Sequence, residues 1–357
     1  VVVTHVSLTD FRSYVRQDVR LEPGLVVVVG PNGAGKTSLL EAIHVGTQGY
    51  SPKTRREASA IRFGAPAARV CVNGAGADGN AFAAQVTISR TAVKEIVLNG
   101  SAVDSAESLR RLFPVLAFTP DRLAVVKGGP AVRRSYLDRV LTRAAPSLGS
   151  LPGEFAHGVA QRNAALRRVR AGLSSRATIK PWTEAVARLG AELDARRTSL
   201  VESLSPRFTS RGGDLGLEGP ELAYVGSGIS EEALEGRLEE DVDRGTTGLG
   251  PHLCDLTISA DGRELRTYGS QGEQRLAVLS LILGEADLLA ELRGDTPLLL
   301  LDDVLSELDG PRRAALVDGL PPGGQVVVTT TALRALPDGA RQPTLVVEVD
   351  CGKAVAR

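Results

Sequence analysis

Hydrophobic and polar positions change rhythm several times along this chain. The opening segments VTHVSLTDF and LEPGLVVVVG carry β-branched runs broken by turn residues, which predicts strands and turns ending in an apolar run over 26–29. SLLEAIHVGTQGY then reads as a helix, and strand-like runs over 70–73, 83–90 and 95–98 are separated by glycine-rich turns. From residue 131 to about 204 the apolar positions recur every three or four residues. This predicts three helices, in AVRRSYLDRVLTRA, EFAHGVAQRNAALRRVRAGL and WTEAVARLGAELDARRTSLVESL, interrupted by SLGSLPG and SSRATIKP. After about residue 250 strand runs return around a helix, in LCDLTISA, GEQRLAVLSLILGEADLLAELR, TPLLLLDD, QVVVTT and TLVVEVD. The two ends together predict one α/β domain, over 1–125 and 246–357, with a mainly helical domain inserted over 126–245. Continuous apolar strands such as 298–301 suit a parallel sheet buried on both faces.

With 357 residues the chain can bury a large core and divide into two domains. No apolar run reaches membrane-spanning length, and the start, VVVTHVSLTD, lacks the pattern of a signal peptide. Cys71, Cys254 and Cys351 are too scattered for a disulfide framework or a thiolate metal cluster. A reduced, cytoplasmic setting without membrane partners is expected. No methionine occurs, first residue included, so residues are expected to be missing and motif spacings are lower bounds. The 42 basic and 42 acidic residues cancel, but not locally. The segment 160–200 carries nine Arg or Lys against three acids, whereas 221–243 carries eight acids against Arg237. A neutral total therefore hides a polar chain, and only the local clusters bear on nucleic acid.

The chemistry starts at GPNGAGKT, from Gly30 to Thr37, directly after the strand-like run. Gly30, Gly33 and Gly35 let the backbone, with Asn32, curl until successive N–H groups face phosphate oxygens. Lys36 adds a cation for the β- and γ-phosphates, Thr37 a hydroxyl for Mg²⁺, and Ser38 continues the helix start. Four leucines later in the chain lead to Asp302 and Asp303. Asp302 suits Mg²⁺ at the tip of a buried strand, and Asp303 can orient or deprotonate the attacking water. Two acids after an apolar strand can also be its solvated end, a reading that loses force beside the phosphate loop. Between the two motifs, Tyr268-Gly-Ser-Gln-Gly-Glu-Gln-Arg275 opens a helix, where Ser270 and Gly272 offer a hydroxyl and an open backbone to a γ-phosphate. Alone, that segment reads equally well as an ordinary capped loop.

The order of these motifs resembles the ATP-binding cassette, whose serine–glycine signature serves ATP in a partner subunit. Ser306-Glu-Leu-Asp309 then occupies the place of the loop that crosses the dimer interface. Thr329-Thr-Thr331 stands where many cassettes carry a switch histidine, and equally suits a strand end. Over almost its whole length the chain resembles the RecF family. The matching residues are Leu8 with Phe11-Arg-Ser-Tyr14, the phosphate loop with Leu39-Leu-Glu-Ala42, Phe118-Thr-Pro-Asp121, Lys127-Gly-Gly-Pro130 and Arg133-Arg-Ser-Tyr-Leu-Asp138. Gln161-Arg-Asn-Ala-Ala-Leu166, Gly250-Pro-His252, Ser270-Gln-Gly-Glu-Gln-Arg275 and Leu299-Leu-Leu-Asp-Asp-Val-Leu-Ser-Glu-Leu-Asp309 complete the set.

The resemblance implies an SMC-like ATPase head with a short helical arm that binds ATP, Mg²⁺ and DNA, including duplex and gap junctions. It further implies ATP-dependent homodimers, slow DNA-stimulated hydrolysis, and work with RecR, and indirectly RecO, in loading RecA at single-strand gaps. By the same matching Arg12 approaches the nucleotide, unless it is a surface arginine. Asp303, where transporter cassettes carry glutamate, implies weaker water activation. Arg55, Arg56, Arg62, Arg133, Arg134, Arg162, Arg167, Arg168, Arg196 and Arg197 are candidates for DNA phosphate, or else pair with the acidic stretch. Leu253-Cys-Asp255 departs from the Arg-Asp-Asp common in the family, which questions a charged role there, and His252 is either packed or near a site. A transport cassette would need membrane partners, a long-arm SMC protein would need hundreds of heptad residues, and a translation-factor cassette would need a second phosphate loop. A DNA clamp in which hydrolysis matters little is the remaining alternative.

Overall fold

Leu25–Val29 is a strand with its first four side chains buried, because both faces of the sheet it enters are covered. In this computed structural model, which describes residues 1–357 apart from 55, 77, 78 and 338, that strand lies inside a six-stranded sheet. The order is Lys353–Ala356, Leu345–Asp350, Leu25–Val29, Val326–Thr330, Leu298–Leu301, Val115–Phe118. Every pairing is parallel except the one at the Lys353–Ala356 edge. Leu298–Leu301 is wholly buried, as its unbroken leucines require.

A second six-stranded sheet is antiparallel and runs Tyr14–Arg20, Val2–Phe11, Ala67–Ala75, Ala81–Ser89, Glu95–Leu98, Ser101–Ala102. The helix Lys36–Gln48 joins one core with both sheets. Its Leu39 and Ile43 are buried with Val26 and Val28 of the parallel sheet and Val6, Leu8, Val70 and Val72 of the antiparallel one. Each such side chain contributes about 1.5–3 kcal/mol by burial. The buried Gln325 amide links the layers: it accepts from the Val3 N–H and donates to the Val3 and Glu22 carbonyls, each at 2.8 Å.

These elements belong to one compact unit, formed by residues 1–123, 211–216 and 278–357; a second unit comprises 124–210 and 217–277. The second unit holds the helices Pro130–Ala144 and Leu151–Arg170, most of Lys180–Asp214, and the short acidic helices Glu231–Gly236 and Leu238–Arg244. It also holds a three-stranded sheet, Arg263–Glu264, Leu256–Ala260, Pro220–Tyr224. The inserted domain was expected to end at 245. Residues 246–277 instead cluster with the second unit, since Leu256–Ala260 finds its antiparallel partner in Pro220–Tyr224. Periodicity also placed the end of the third helix near 204, yet it passes through Pro206 to Asp214. Phe208 is fully buried past the proline, and Arg211 holds Asp287 through two 2.7 Å bonds. Tertiary anchoring outweighs the local break.

Three of the arginines proposed for DNA lie inside the second unit. Arg162 is fully buried and donates to Asp241 (2.6 Å), Thr183 and Thr247. Arg133 is clasped by both oxygens of Asp255, a hydrogen-bonded pairing that raises its pKa. Arg197 binds Asp138 and the Pro251 carbonyl. Buried and paired, these guanidiniums are not a surface for DNA. Asp255 thus gives the divergent Leu253-Cys-Asp255 segment a charged role. Arg55 lies outside the described residues. Arg56, Arg167, Arg168 and Arg196 are exposed and Arg62 and Arg134 half-buried. His252 is packed near Phe155 and bonded through Nε2 to the Thr247 carbonyl, and burial lowers its pKa.

Candidate nucleotide-binding site

The strand Leu25–Val29 delivers Gly30 so close to the sheet that a Cβ there would stand 2.1 Å from the Val349 carbonyl oxygen. Only glycine fits. Gly33 and Gly35 have φ of 80° and 118°, left-handed values that fold the loop back before the helix Lys36–Gln48 begins. No side chain caps this helix, so its first N–H groups and its dipole remain directed at an anion. The buried Tyr14 donates its hydroxyl to the Gly35 carbonyl at 3.1 Å, and burial pushes its pKa well upward, so it stays a donor. Asn32 is exposed at the loop tip. The buried Lys36 ammonium donates to the Gly30 and Pro31 carbonyls at 2.7 and 2.9 Å.

Parallel pairing of Leu298–Leu301 with Val326–Thr330 brings the acids to the loop. Asp302 Oδ1 accepts the Thr37 hydroxyl at 2.8 Å and the Thr329 hydroxyl at 2.9 Å. The same Thr329 oxygen accepts the Asp303 N–H at 2.7 Å. Asp303 has a φ of 52°, rare for a residue with a Cβ, and its buried Oδ1 has no hydrogen-bond partner. Thr37, Asp302, Asp303 and Thr329 therefore form one cluster beside the loop. Two hydroxyls and a carboxylate oxygen converge as hard oxygen ligands do around Mg²⁺, and the unpartnered Asp303 oxygen is a place for a donor such as water. The residues present fit a nucleoside triphosphate with Mg²⁺.

Arg12 is held from three sides. Its guanidinium donates to both oxygens of the buried Glu41 at 2.7 and 2.9 Å and to the Ser59 carbonyl at 2.8 Å. With Ser38, Ser13, Ile61, Phe63 and Arg90 it lines a cavity of about 830 Å³. Arg12 and Ser38 thus share one recess adjoining the phosphate loop. Ser270 and Gly272 belong to the second unit. There the Ser270 hydroxyl accepts from the Glu273 N–H while Glu273 accepts from the Ser270 N–H, a reciprocal cap on the helix Gln271–Arg293. The Ser306 hydroxyl donates to the Asp303 carbonyl, and Asp309 caps Gly310–Asp318. Sequence reasoning left Tyr14, Glu41 and Lys53 without roles. The first two lie inside the family motifs already quoted, and Lys53, with Nζ 3.8 Å from Asp302 Oδ2, follows Ser51-Pro52.

A mainly parallel sheet, a glycine-rich loop opening a helix and an acid pair at the end of the next strand but one define a P-loop domain of the ABC and SMC-head class. The RecF/RecN/SMC N terminal domain model matches residues 2–345, and the chain belongs to the RecF family. It is similar to the DNA replication and repair protein RecF of Heliobacterium modesticaldum, with 35% identity over 92% of each chain. To that of Anaeromyxobacter dehalogenans it is 37% identical over 96% of each. A solved structure of the recombination mediator protein RecF-ATP in the RecFOR pathway superposes with a TM-score of 0.85 at 25% identity, covering 99% of this chain and 97% of that one. An Smc head bound to the C-winged helix domain of ScpA shares the fold, with a TM-score of 0.62 at 15% identity over 99% and 97%. Among the described residues no helix is long and apolar enough to cross a membrane.

Proposed function

We propose that this chain is an ATP-dependent DNA-binding protein of recombinational gap repair, a weak ATPase that dimerises on ATP. The observation that carries the reading is the Thr37–Asp302–Thr329–Asp303 cluster beside the phosphate loop. ATP with Mg²⁺ supplies the phosphoryl chemistry when bound. Thr37 and Asp302 hold the metal, Lys36 and the loop N–H groups hold the phosphates, and the cavity lined by Arg12 and Ser38 takes the nucleoside. Asp303 orients water with its unpartnered oxygen; its short side chain is consistent with slow, DNA-stimulated turnover. The Ser270 hydroxyl accepts from its own helix and keeps its hydrogen for a phosphate oxygen, and with Gly272 it completes the site of a second copy.

Pairing of two heads presents Arg56, Arg62, Arg134, Arg167, Arg168 and Arg196 to duplex DNA and gap junctions as phosphate contacts, with affinity falling as salt rises. By family the partners are RecR and, through it, RecO, with RecA loading as the outcome, in the cytoplasm. The relatives named for DNA replication and repair, and a solved RecF-ATP structure, support this reading. Light scattering tests it. Molar mass should double with ATP–Mg²⁺ and stay monomeric without nucleotide or with Ser270→Arg; a constitutive dimer, or no doubling in wild type, would count against it. Asp303→Asn should abolish turnover while keeping ATP-dependent pairing, and Lys36→Ala should abolish both.

A further inference from the structure

The hairpin of Leu345–Asp350 and Lys353–Ala356 closes on two residues, Cys351 and Gly352, between the paired Asp350 and Lys353. Both have positive φ, 44° and 74°, as a two-residue turn that matches the strand twist requires. The function proposed above gives this turn no part, yet it lies against the phosphate loop. The Gly352 N–H donates to the Ala34 carbonyl at 3.0 Å. A Cβ at Gly352 would stand 2.6 Å from the Ser13 carbonyl oxygen, so close approach as well as φ demands glycine there. Three residues earlier, the Val349 carbonyl is the group that excludes a side chain from Gly30. The hairpin thus meets the loop at its first residue and again at Ala34. Its other strand is tied down by Gln17, whose amide donates to the Ala354 carbonyl at 2.7 Å and accepts from the Ala354 N–H at 3.0 Å. A turn that only joined two strands would need its positive φ values but neither contact with the loop.

We propose that Gly352 is a positioning residue of the nucleotide site, aiming a phosphate-binding N–H from behind the loop. The peptide joining Ala34 to Gly35 is trans, so its C=O and N–H point to opposite sides. With the Ala34 carbonyl held by Gly352, the Gly35 N–H is turned away from the hairpin and towards the anion that the loop cradles. Ala34 stands between Gly33 and Gly35, whose backbones restrict that peptide plane least. Its direction must therefore be imposed from outside, and Gly352 supplies the hold. Tyr14 does the same for the next peptide through the Gly35 carbonyl. The assignment rests on the ATP reading and adds to it a hairpin turn, more than 300 residues away in sequence, that tunes the affinity of the loop for phosphate.

Calorimetric titration of the full chain with ADP and Mg²⁺ tests it without turnover, with thermal melts recorded on the same samples. Gly352→Ala forces the turn off Ser13 and should weaken ADP about fivefold or more, as loss of one well-placed hydrogen bond does. A second variant, with one glycine inserted between Cys351 and Gly352, moves the N–H away from Ala34 without a clash and at little cost in loop entropy. It should show the same loss, and it decides the matter if the alanine variant melts below the assay temperature. Gln17→Ala loosens the hairpin elsewhere; it should lower the melting temperature and leave ADP affinity within about twofold. In protein labelled with ¹⁵N-glycine, the shift of the Gly35 amide resonance on adding ADP should shrink in both turn variants and persist in Gln17→Ala. Turn variants that bind ADP like wild type, or equal weakening in Gln17→Ala, would overturn the assignment while sparing the nucleotide site. Wild-type protein that binds no ADP would remove the ATP reading and the role of Gly352 with it.

Discussion

Thr329 joins the two acids, and replacing it with valine keeps the branched shape while removing only the hydroxyl. The residue is fully buried, so no bulk water replaces the lost group. Asp302 Oδ1 would keep the Thr37 donor and lose the one at 2.9 Å; the Asp303 N–H would lose its acceptor at 2.7 Å. A hydrogen bond to a charged carboxylate contributes about 1.5–3 kcal/mol. Asp303 also sits in a left-handed conformation that disfavours side-chain-bearing residues by about 1–2 kcal/mol, and the Thr329 bond helps to hold it there. If the first term alone acts on the positioned acids, turnover falls about 10–100-fold. Steady-state ATP hydrolysis with DNA, measured across Mg²⁺ concentrations, should show that fall in Thr329→Val and near-normal rates in Thr329→Ser. Nucleotide affinity should change little, because the loop supplies most phosphate contacts. Unchanged turnover in the valine variant, or a serine variant as impaired as the valine one, would refute the reasoning.

Removing the buried partner in Arg162→Ala leaves Asp241 without its 2.6 Å guanidinium contact. That costs about 3–5 kcal/mol, and in a unit of about 150 residues its melting step should drop by about 6–20 °C. Arg162→Met combined with Asp241→Leu should recover much of this, and DNA affinity measured below the transition should be unaltered. His252 is held neutral by burial, with its pKa below the ordinary 6.5. The unfolded chain therefore binds the extra proton first, and stability present above pH 6.5 is lost as pH falls through the folded pKa. Thermal melts from pH 7.5 to 5 should show this decline and a weaker one in His252→Gln. Tyr14→Phe removes the hydroxyl bonded to Gly35 at 3.1 Å; at about 1 kcal/mol, nucleotide affinity should fall about fivefold by titration.

The phosphate loop, the acid pair and the strand alternation were legible in the sequence because their chemistry is local. Glycines at a strand-to-helix turn and four leucines before two acids need no distant partner to be understood. The arginines were not legible as a charge count. Arg162 falls on the apolar stripe of its helix with Phe155, Val159 and Leu166, all buried. Arg133 shares a stripe with Tyr136, Leu137 and Val140, and Arg197 with Leu193, Leu200, Val201 and Leu204. A basic residue at an inward position must meet a buried acid, so the periodicity held the signal. The acids themselves, Asp241, Asp255 and Asp138, lie 79, 122 and 59 residues away from their arginines, beyond any local pattern. The second unit's sheet was hidden for the same reason: Leu256–Ala260 reads as a strand, but nothing near it names Pro220–Tyr224 as its partner.

Adjacent in sequence, Asp302 and Asp303 are made unlike by their surroundings, and the difference supports the separate roles proposed for them. Asp302 accepts two hydroxyls on one oxygen and faces an ammonium with the other. Such a carboxylate is held in one orientation, which is what a metal ligand requires. Asp303 keeps a buried oxygen without a donor and a backbone conformation that a side-chain-bearing residue rarely adopts. Both features are unfavourable in isolation, and the unsatisfied oxygen is relieved when a donor reaches it. A site built this way favours the state in which water or a phosphate-bound group stands beside Asp303. Thr329 transmits the position of one acid to the other through a single oxygen. Under the proposed function the threonine in the place of a switch histidine would couple the metal's ligand to the water's, and this is why its hydroxyl, rather than a charge, is the group to remove.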